Sequence, residues 1–275
     1  MKLKQQKPTD IEHSPTVVKH NAIINASYKL TLSETRLLLA CISQIDSSRD
    51  RDKDEPFIIQ IKDVRDLFAD ENATHLYRDI RTATERIGKR QIRINDGNKS
   101  GYQNWVIDCF YYKNKGAIEI KFHPDVLNYL TDLKGSFTQY KIQYVAKFTN
   151  VHSIRIYELL AQWQGRGNRE ISVDELREKL QLGEQYPKIY DLKRYVIDKA
   201  LADINTHSNI NVACGERKLG RQTLAFQFKF KQKDGMKDKP KQLGKSNKKQ
   251  LIEKHARVGE SYESAEARLR KEGVL

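Results

Sequence analysis

The chain has 275 residues, enough for about two domains of ordinary size, and a formal net charge of +14. A basic excess of this size favours a polyanionic partner, either nucleic acid or an acidic membrane surface. No stretch approaches the ~18 apolar residues of a membrane-spanning helix, and residues 1–10 lack the apolar core of a signal peptide. The sequence therefore predicts a cytoplasmic protein that binds nucleic acid and no membrane.

The first half of the chain predicts a helix, a strand, a short helix and a long helix. The first helix begins after Ser33, which is a good N-cap. The apolar periods lie at Leu38, Cys41, Ile42 and Ile45, at Phe57, Ile59 and Ile61, at Val64, Leu67 and Phe68, and at Leu76, Ile80, Ala83 and Ile87. The next predicted elements are strands at 91–94, 105–112 and 118–122, a turn at 95–97, and a strand with a linker at 136–148. A helix from Pro124 to Gly135 precedes that last segment.

The second half repeats this order. A helix is followed by a short helix that opens with a capping box between Ser172 and Glu175 and stops at Gly183. A longer helix and two alternating strands come next, with residues 215–220 as the loop between the strands. The apolar positions are Ile156, Leu159, Leu160 and Trp163, then Val173, Leu176 and Leu180, then Ile197, Ala200, Leu201 and Ile204, and finally Ile210, Val212, Cys214, Leu224, Phe226, Phe228 and Phe230.

This repeated order predicts an α+β protein with two tandem winged-helix domains. We place the domains at 15–148 and 149–231, between a flexible N-terminus at 1–14 and a basic tail at 232–275. The last 45 residues hold 13 basic and 7 acidic residues, and therefore +6 of the net charge. Their composition predicts a solvated, mostly disordered extension, with an ordered element as the alternative.

A winged helix places one helix in the major groove and a hairpin beside it on the backbone or in the minor groove. In the second domain the basic and polar residues of that helix and hairpin are Lys193, Arg194, Lys199, Arg217, Lys218, Arg221 and Gln222. In the first domain the corresponding residues are Arg78, Arg81, Arg86, Lys89 and Arg90, with Asp79 and Glu85 among them. We expect these residues to contact DNA; the alternative is a solvated charged face.

The sequence resembles the iteron-binding plasmid replication initiators of the RepB/RepE type. The resemblance rests on VVKHNAIINASYKLTLSETRLLL at 17–39, SIRIYELLAQW at 153–163, YDLKRYVIDKALADIN at 190–205 and GRQTLAFQFKF at 220–230. It covers about residues 15–230, and between 95 and 150 it depends on the strand layout more than on motifs. The tail at 232–275 lies outside it.

The resemblance implies tandem winged helices that bind direct repeats (iterons) at a plasmid origin, help to open it, and recruit the host initiator and replicative helicase. It also implies that the second domain recognises the iteron, whereas the first binds the DNA backbone and forms a dimer that represses the initiator's own promoter at an inverted repeat. The pair Lys193 and Arg194 corresponds to the basic pair of the recognition helix, and Arg221 and Gln222 to the hairpin. Where the family can carry a third basic residue, this chain has Tyr195, which leaves stacking, packing or a different iteron sequence open.

The dimer strand we expect is 105–112, an exposed-looking β-rich run. An ordinary core strand is the equal alternative for this segment. A transcriptional repressor is the alternative for the whole chain, because it would use the same fold and the same basic surfaces. Repressors with two-fold symmetry bind inverted half-sites, whereas an initiator monomer binds direct repeats.

Three features could suggest an enzyme. The segment GERKLGRQ at 215–222 has the glycine spacing of a phosphate loop but lacks its Lys and Ser/Thr, and a strand follows it. Tyr112 with Lys115 has the spacing of a nickase nucleophile, but His20, His123 and His152 are isolated, so no metal site accompanies it. The acidic residues Asp63, Asp66, Asp70 and Glu71 could suggest a metal-dependent nuclease, but we expect them to be solvated on a short helix and at its end. The scattered Cys41, Cys109 and Cys214 are typical of buried free thiols. We expect no catalytic residue, metal or cofactor.

Overall fold

The computed structural model describes residues 14–45, 55–68, 73–95, 100–131, 133, 136–234 and 264. Several residues named in the predictions lie outside these ranges: the N-terminal segment up to residue 13, the turn residues 96–97, Asp70, Glu71, Gly135 and most of the tail. Within the described ranges no helix is both long and apolar enough to cross a membrane.

The first half of the described chain alternates short helices and strands. Its elements are β1 (Thr16–His20), α1 (Asn21–Asn25), β2 (Ser27–Tyr28), α2 (Leu32–Ile42), β3 (Phe57–Gln60), α3 (Ile61–Phe68), α4 (Ala73–Ile87), β4 (Gln91–Asn95), β5 (Ser100–Asn104), β6 (Val106–Tyr112), a 3-10 turn (Lys113–Lys115), β7 (Ala117–Phe122), α5 (Pro124–Thr131), β8 (Phe137–Lys141) and α6 (Gln143–Ala146). Helix α2, strand β3, helices α3 and α4, and the hairpin β6–β7 follow one another in the order of a winged helix. The hairpin β4–β5 is an addition between the last helix and that wing.

The second half has the same plan without the additional hairpin. Its elements are α7 (Val151–Ala161), β9 (Asn168–Ser172), α8 (Val173–Lys179), α9 (Ile189–Leu192), a π-helical segment (Lys193–Ile197), α10 (Asp198–His207), β10 (Ile210–Leu219) and β11 (Gln222–Gln232). Because α9, the π-helical segment and α10 follow without a break, residues 189–207 form one helix, which we call the recognition helix.

The two halves also share their sheet topology. In the first half the strand order is β3–β7–β6, and in the second it is β9–β11–β10, with every neighbouring pair antiparallel. In both sheets the strand that precedes the short helix pairs with the last strand of the hairpin. This shared topology confirms the prediction of two tandem winged-helix units in an α+β chain.

The N-caps agree with the sequence in the second domain and differ in the first. The Ser172 hydroxyl accepts a hydrogen bond from the Glu175 amide, as predicted for the start of α8. The N-cap of helix α2 is Thr31 instead of Ser33, because Thr31 and Glu34 form a complete capping box, with the Thr31 amide donating to the Glu34 carboxylate at 2.8 Å. The prediction of Ser33 as the N-cap was wrong; it lies in the first turn.

Three predicted strand boundaries change in the structure. The predicted strand 105–112 begins at Val106, because buried Trp105 lies between β5 and β6 and its amide donates to the carbonyl of Arg90. Ile61 is the first residue of α3 and does not belong to the preceding strand. The predicted loop at 215–220 is mostly strand, so the hairpin of the second domain is longer than expected.

A buried ionic cluster joins the two domains. Glu158 on α7 accepts hydrogen bonds from Lys19 on β1 at 2.6 Å and from Tyr140 on β8 at 2.7 Å. Arg155, one turn earlier, donates to Glu158 at 3.0 Å and to the Tyr28 hydroxyl at 2.6 Å. Burial alone would raise the pKa of Glu158, but Lys19 and Arg155 outweigh it and lower that pKa. The cluster therefore holds a carboxylate and two cations at the junction of the domains.

Candidate nucleic-acid interface

The recognition helix has one buried and one exposed face. Leu192, Val196 and Ile197 are fully buried, as are Ala200 and Ile204 one and two turns later. The predicted apolar positions Ile197, Ala200 and Ile204 are confirmed, whereas Leu201 is only partly buried. The exposed side chains from its second residue to Lys199 are Tyr190, Arg194, Tyr195, Asp198 and Lys199.

The wing of the second domain is a long hairpin with a tight turn. Leu219 pairs with Gln222, which leaves Gly220 and Arg221 as a two-residue turn. Gly220 has a φ of +60°, a conformation that favours glycine. Arg221 and Gln222, both predicted to contact DNA, are exposed at this turn and are therefore the outermost polar residues of the wing.

Glu216 on β10 connects the wing to the recognition helix. Its carboxylate lies 2.9 Å from the Lys193 ammonium and 3.1 Å from that of Lys218, and it accepts a hydrogen bond from Thr223 at 2.9 Å. The hydrogen bond from Lys193, with those from Lys218 and Thr223, lowers the pKa of Glu216 to about 2 against the opposing effect of burial. Two of the predicted DNA-contacting lysines thus share one carboxylate that fixes the helix against the hairpin.

Asn205 fixes the other end of the same helix. Its amide donates to the carbonyl of Val212 at 3.0 Å, and its side-chain oxygen accepts from the Val212 amide at 2.7 Å. This pair of bonds reproduces a strand-like pairing between a helix side chain and β10. Together with the Glu216 contacts it holds the recognition helix and wing in one orientation, as a preformed groove-binding unit requires.

Arg217 contacts Glu170, whereas its neighbour Lys218 contacts Glu216. Its Nε is 2.9 Å from Glu170 on β9, and Gln227 on β11 donates to the other oxygen of the same carboxylate at 2.9 Å. The hydrogen bonds from Gln227 and Arg217 lower the pKa of Glu170. Arg217 is half-exposed, so it is held on the sheet while its positive charge still faces solvent.

The exposed face of the recognition helix combines cations with aromatic rings. The Arg194 guanidinium carbon lies 5.4 Å from the centre of the Tyr195 ring, and the Lys199 ammonium lies 5.6 Å from the same ring. Tyr186, in the loop before the helix, stacks on Tyr195 with the ring centres 6.1 Å apart. Tyr195 therefore holds both cations on the exposed side of the helix.

In the first domain the predicted basic residues of α4 and of the residues after it are mostly exposed. Arg78 is 69% exposed and lies beside Asp79, and Arg81 is 63% exposed and pairs with Glu85 one turn later. Arg86 and Lys89 are also exposed. The two acidic neighbours that the sequence pointed to thus contact two of the arginines, which weakens the positive potential of this helix.

Arg90 has a structural contact within the first domain. Its guanidinium donates to both oxygens of the fully buried Glu34, at 2.9 to 3.1 Å. Because Glu34 also completes the capping box of α2, this pair connects the end of α4 to the beginning of α2. Arg90 turns inward to this carboxylate, and we therefore remove it from the proposed set of DNA contacts.

Sequence reasoning did not identify three further candidate DNA contacts. Lys113 and Lys115 form the turn of the first wing, where Lys115 lies 5.2 Å from the Tyr112 ring. The sequence does carry a signal for this turn, the glycine at position 116. Gly116 follows the turn and adopts a φ of +54°. Tyr190 was also overlooked, since an exposed tyrosine on a helix carries no charge pattern.

Two of the segments that could suggest an enzyme form the wings, and the third lies on helix α3, where Asp63 is partly buried and Asp66 is exposed. Residues 215–222 form the wing, followed by β11 where a phosphate loop needs a helix. The hydroxyl of Tyr112 donates to Glu119, a bond that raises the pKa of the phenol. Cys41 is buried as predicted, whereas Cys109 and Cys214 are only partly buried. Burial raises the pKa of Cys41, and raises those of Cys109 and Cys214 to about 12. Among the described residues no cluster of His, Cys, Asp and Glu could hold a metal ion.

The fold and its basic helix and wing define the class of protein: a tandem winged-helix protein. Two family models match it, "Initiator Replication protein, WH1" at residues 16–161 and "Initiator Rep protein, WH2" at residues 172–230. The chain belongs to this family of initiator replication proteins. The first match ends at residue 161 and the second begins at residue 172, so both limits lie beyond the junction expected at 148/149, and the tail is outside both matches.

Two curated proteins and one solved structure are also similar to this chain. The "Replication initiation protein" of Escherichia coli is 27% identical over an alignment of 223 positions, and the match covers 78% of this chain and 69% of that protein. An "Uncharacterized 27.6 kDa protein" of Escherichia coli is 25% identical over an alignment of 202 positions, and the match covers 69% of this chain and 84% of the other. The crystal structure of Pi initiator protein in complex with iteron DNA has a TM-score of 0.69 and 20% identity, and covers 80% of this chain and 98% of the other.

Proposed function

We propose that this chain starts plasmid replication by binding direct repeats at its origin through both winged helices. The observation that carries the proposal is the recognition helix and wing of the second domain, fixed to each other by Glu216 and Asn205 with basic residues on their exposed side. Membership of the initiator family and the likeness to an initiator described with iteron DNA support the same function.

Phosphate contacts supply most of the affinity in this proposal. Arg221 and Gln222 at the turn of the second wing, with Lys218 and Arg217 behind them, face the backbone beside the groove that the helix enters. In the first domain Arg78, Arg81, Arg86 and Lys89 contact the backbone, and Lys113 and Lys115 extend that contact through the first wing. Each neutralised phosphate releases counterions, so binding weakens steeply with salt.

Sequence recognition depends mainly on the second domain. Arg194 and Lys199 lie on the exposed face of the recognition helix, where bidentate contacts from arginine to guanine are the commonest specific contact. Lys193 contributes less to base recognition in this proposal, since its ammonium is held by Glu216. No catalytic chemistry is assigned to the chain; its role is to bind and deform DNA for other proteins.

A homodimer through the first domain accounts for repression of its own promoter. Strand β6 has β7 as its neighbour on one side and lies at the edge of its sheet. Ile58 and Phe110 are 60% and 53% exposed, and both are in register with Glu119 on the strand between them. An edge strand next to exposed apolar side chains favours pairing with a second copy.

The remaining parts of the proposed function follow from the family. Bound monomers open the origin and recruit the host initiator and the replicative helicase in the cytoplasm. The basic tail adds attraction to DNA that is independent of sequence.

A footprint on DNA from around the gene tests the proposed function. We expect protection of several direct repeats, without strand nicking and without ATP hydrolysis. Random DNA at the same salt concentration serves as the control, because it measures the non-specific affinity. Protection of an inverted repeat alone would identify a repressor without an initiation role, and nicking or ATP hydrolysis would contradict the proposal.

A further inference from the structure

We infer that Tyr190 recognises the methyl group of a thymine next to the base that Arg194 contacts. The inference rests on the proposed function and assigns a specificity-determining residue to it. Tyr190 is the second residue of the recognition helix and is 66% exposed. In helix-turn-helix proteins the first residues of this helix contact the base edges.

The ring of Tyr190 and the guanidinium of Arg194 form one continuous surface. Nη1 of Arg194 lies 3.4 Å from the Tyr190 hydroxyl, one helical turn away. A side chain that binds guanine and an apolar ring are therefore presented together. On B-DNA such a surface matches two neighbouring base pairs.

The loop before the helix holds this surface in place. Arg177 donates hydrogen bonds to the carbonyls of Gln185 and Tyr186. Tyr186 has a φ of +56°, a backbone conformation that residues other than glycine rarely adopt. In this conformation the Tyr186 ring stacks on Tyr195, and Tyr195 in turn contacts Arg194. Tyr195 is therefore a positioning residue, whereas Tyr190 keeps an exposed ring for the DNA.

Thymine is the base that fits this surface. In the major groove it alone presents a methyl group, and apolar side chains recognise it by contact, whereas arginine binds O6 and N7 of guanine. The inference predicts that each repeat contains a thymine adjacent to a guanine. Covering one methyl group is expected to raise affinity about fourfold, the equivalent of ~0.8 kcal/mol.

The test replaces single thymines of one footprinted repeat with deoxyuracil, which removes the methyl group and leaves base pairing unchanged. Binding is measured for the full chain and for its variants Tyr190→Ala and Tyr190→Phe. For the wild-type chain and for Tyr190→Phe, deoxyuracil at one position should weaken binding about fourfold. For Tyr190→Ala, which removes the ring, the same DNA should bind as tightly as the thymine form.

Each other outcome has a defined meaning. A Tyr190→Phe variant that loses as much affinity as Tyr190→Ala would assign the contact to the hydroxyl and overturn the inference. A methyl effect that persists in Tyr190→Ala, or is absent in the wild-type chain, would overturn it as well. In these cases the repeats are still protected, whereas loss of all specific protection would contradict the proposed function itself.

Discussion

Arg194 is the residue with the clearest expected role in sequence recognition. Changing Arg194 to Ala should cost ~1 to 3 kcal/mol on the cognate repeat and little on random DNA, because a bidentate contact to guanine exists only at the cognate site. Binding to both DNAs by fluorescence anisotropy measures the difference. Lys229→Ala is the control, since it removes an exposed cation near the far end of β11 from the turn. Equal losses on the two DNAs would contradict base recognition by Arg194.

Arg221 is expected to behave differently because it lies at the turn of the wing. Changing Arg221 to Ala should weaken binding to all sequences by a similar factor and reduce the slope of log K against log salt by about one. A salt series from low to physiological ionic strength gives that slope. If the slope is unchanged while cognate binding falls, Arg221 contacts a base instead of a phosphate.

At the scale of elements, the contact between wing and recognition helix depends on the charge of Glu216. Its pKa in the folded chain is about 2, below the ordinary 4.5, so the contact stabilises the fold fully above about pH 5 and is lost as the pH falls towards 2. An NMR titration of the Glu216 carboxyl measures this pKa directly. In Lys193→Met the midpoint should move up towards 4.5, because the hydrogen bond from Lys193 is the largest cause of the shift.

The Glu216 titration also has a clear opposing result. A wild-type midpoint near 4.5 would mean that the helix and wing are not tied by this carboxylate in solution. A low midpoint that is unchanged in Lys193→Met would assign the shift to Lys218 and Thr223. Lys229→Met is the control for loss of a surface cation, and it should leave the titration unchanged.

The junction of the domains provides a second prediction at this scale. Changing Glu158 to Gln leaves Lys19 and Arg155 buried without their counter-charge, which should lower the free energy of unfolding by ~3 to 5 kcal/mol. Glu178→Gln is a matched control at the same junction, where the exposed pair of Glu178 with Arg93 is expected to contribute less than ~1 kcal/mol. Urea denaturation compares the two. Similar values would show that burial of the Glu158 cluster does not couple the domains.

The longer helices of this fold were predictable because their apolar periods are local, whereas the short helices α1 and α6 were not predicted, and α6 lies in the segment 136–148 expected to be a strand and a linker. The N-cap Ser172 was also predictable, because its capping pattern spans only four residues. The sequence could not reveal the pairing of β1 with β8, which are about 120 residues apart, because a polar and apolar pattern does not identify a partner strand. Lys19 and Glu158 resemble surface charges in the sequence for the same reason. Within the site, a count of basic residues identified Arg194 correctly as exposed but could not distinguish Arg90, which faces Glu34.

At the scale of the whole molecule, the two winged helices form one body. The contacts of Glu158 with Lys19 and Tyr140 are supplemented by Arg169, which donates to Asn25 of the first domain. In the proposed function, a fixed spacing between the two DNA-contacting units matches DNA sites at a fixed separation. This geometry suits a monomer on direct repeats, and a second surface is required for a dimer on an inverted repeat.

The open face of the first sheet is the second surface we propose. Changing Phe110 to Glu should weaken dimerisation at least about tenfold, because a charge replaces an exposed aromatic side chain beside Glu119. Analytical ultracentrifugation over a concentration series measures the dissociation constant. Leu219→Glu is the control, since Leu219 is 71% exposed but lies on the wing of the second domain. In Phe110→Glu, direct repeats should still be protected while the inverted repeat is lost; an unchanged dimer would place the interface elsewhere.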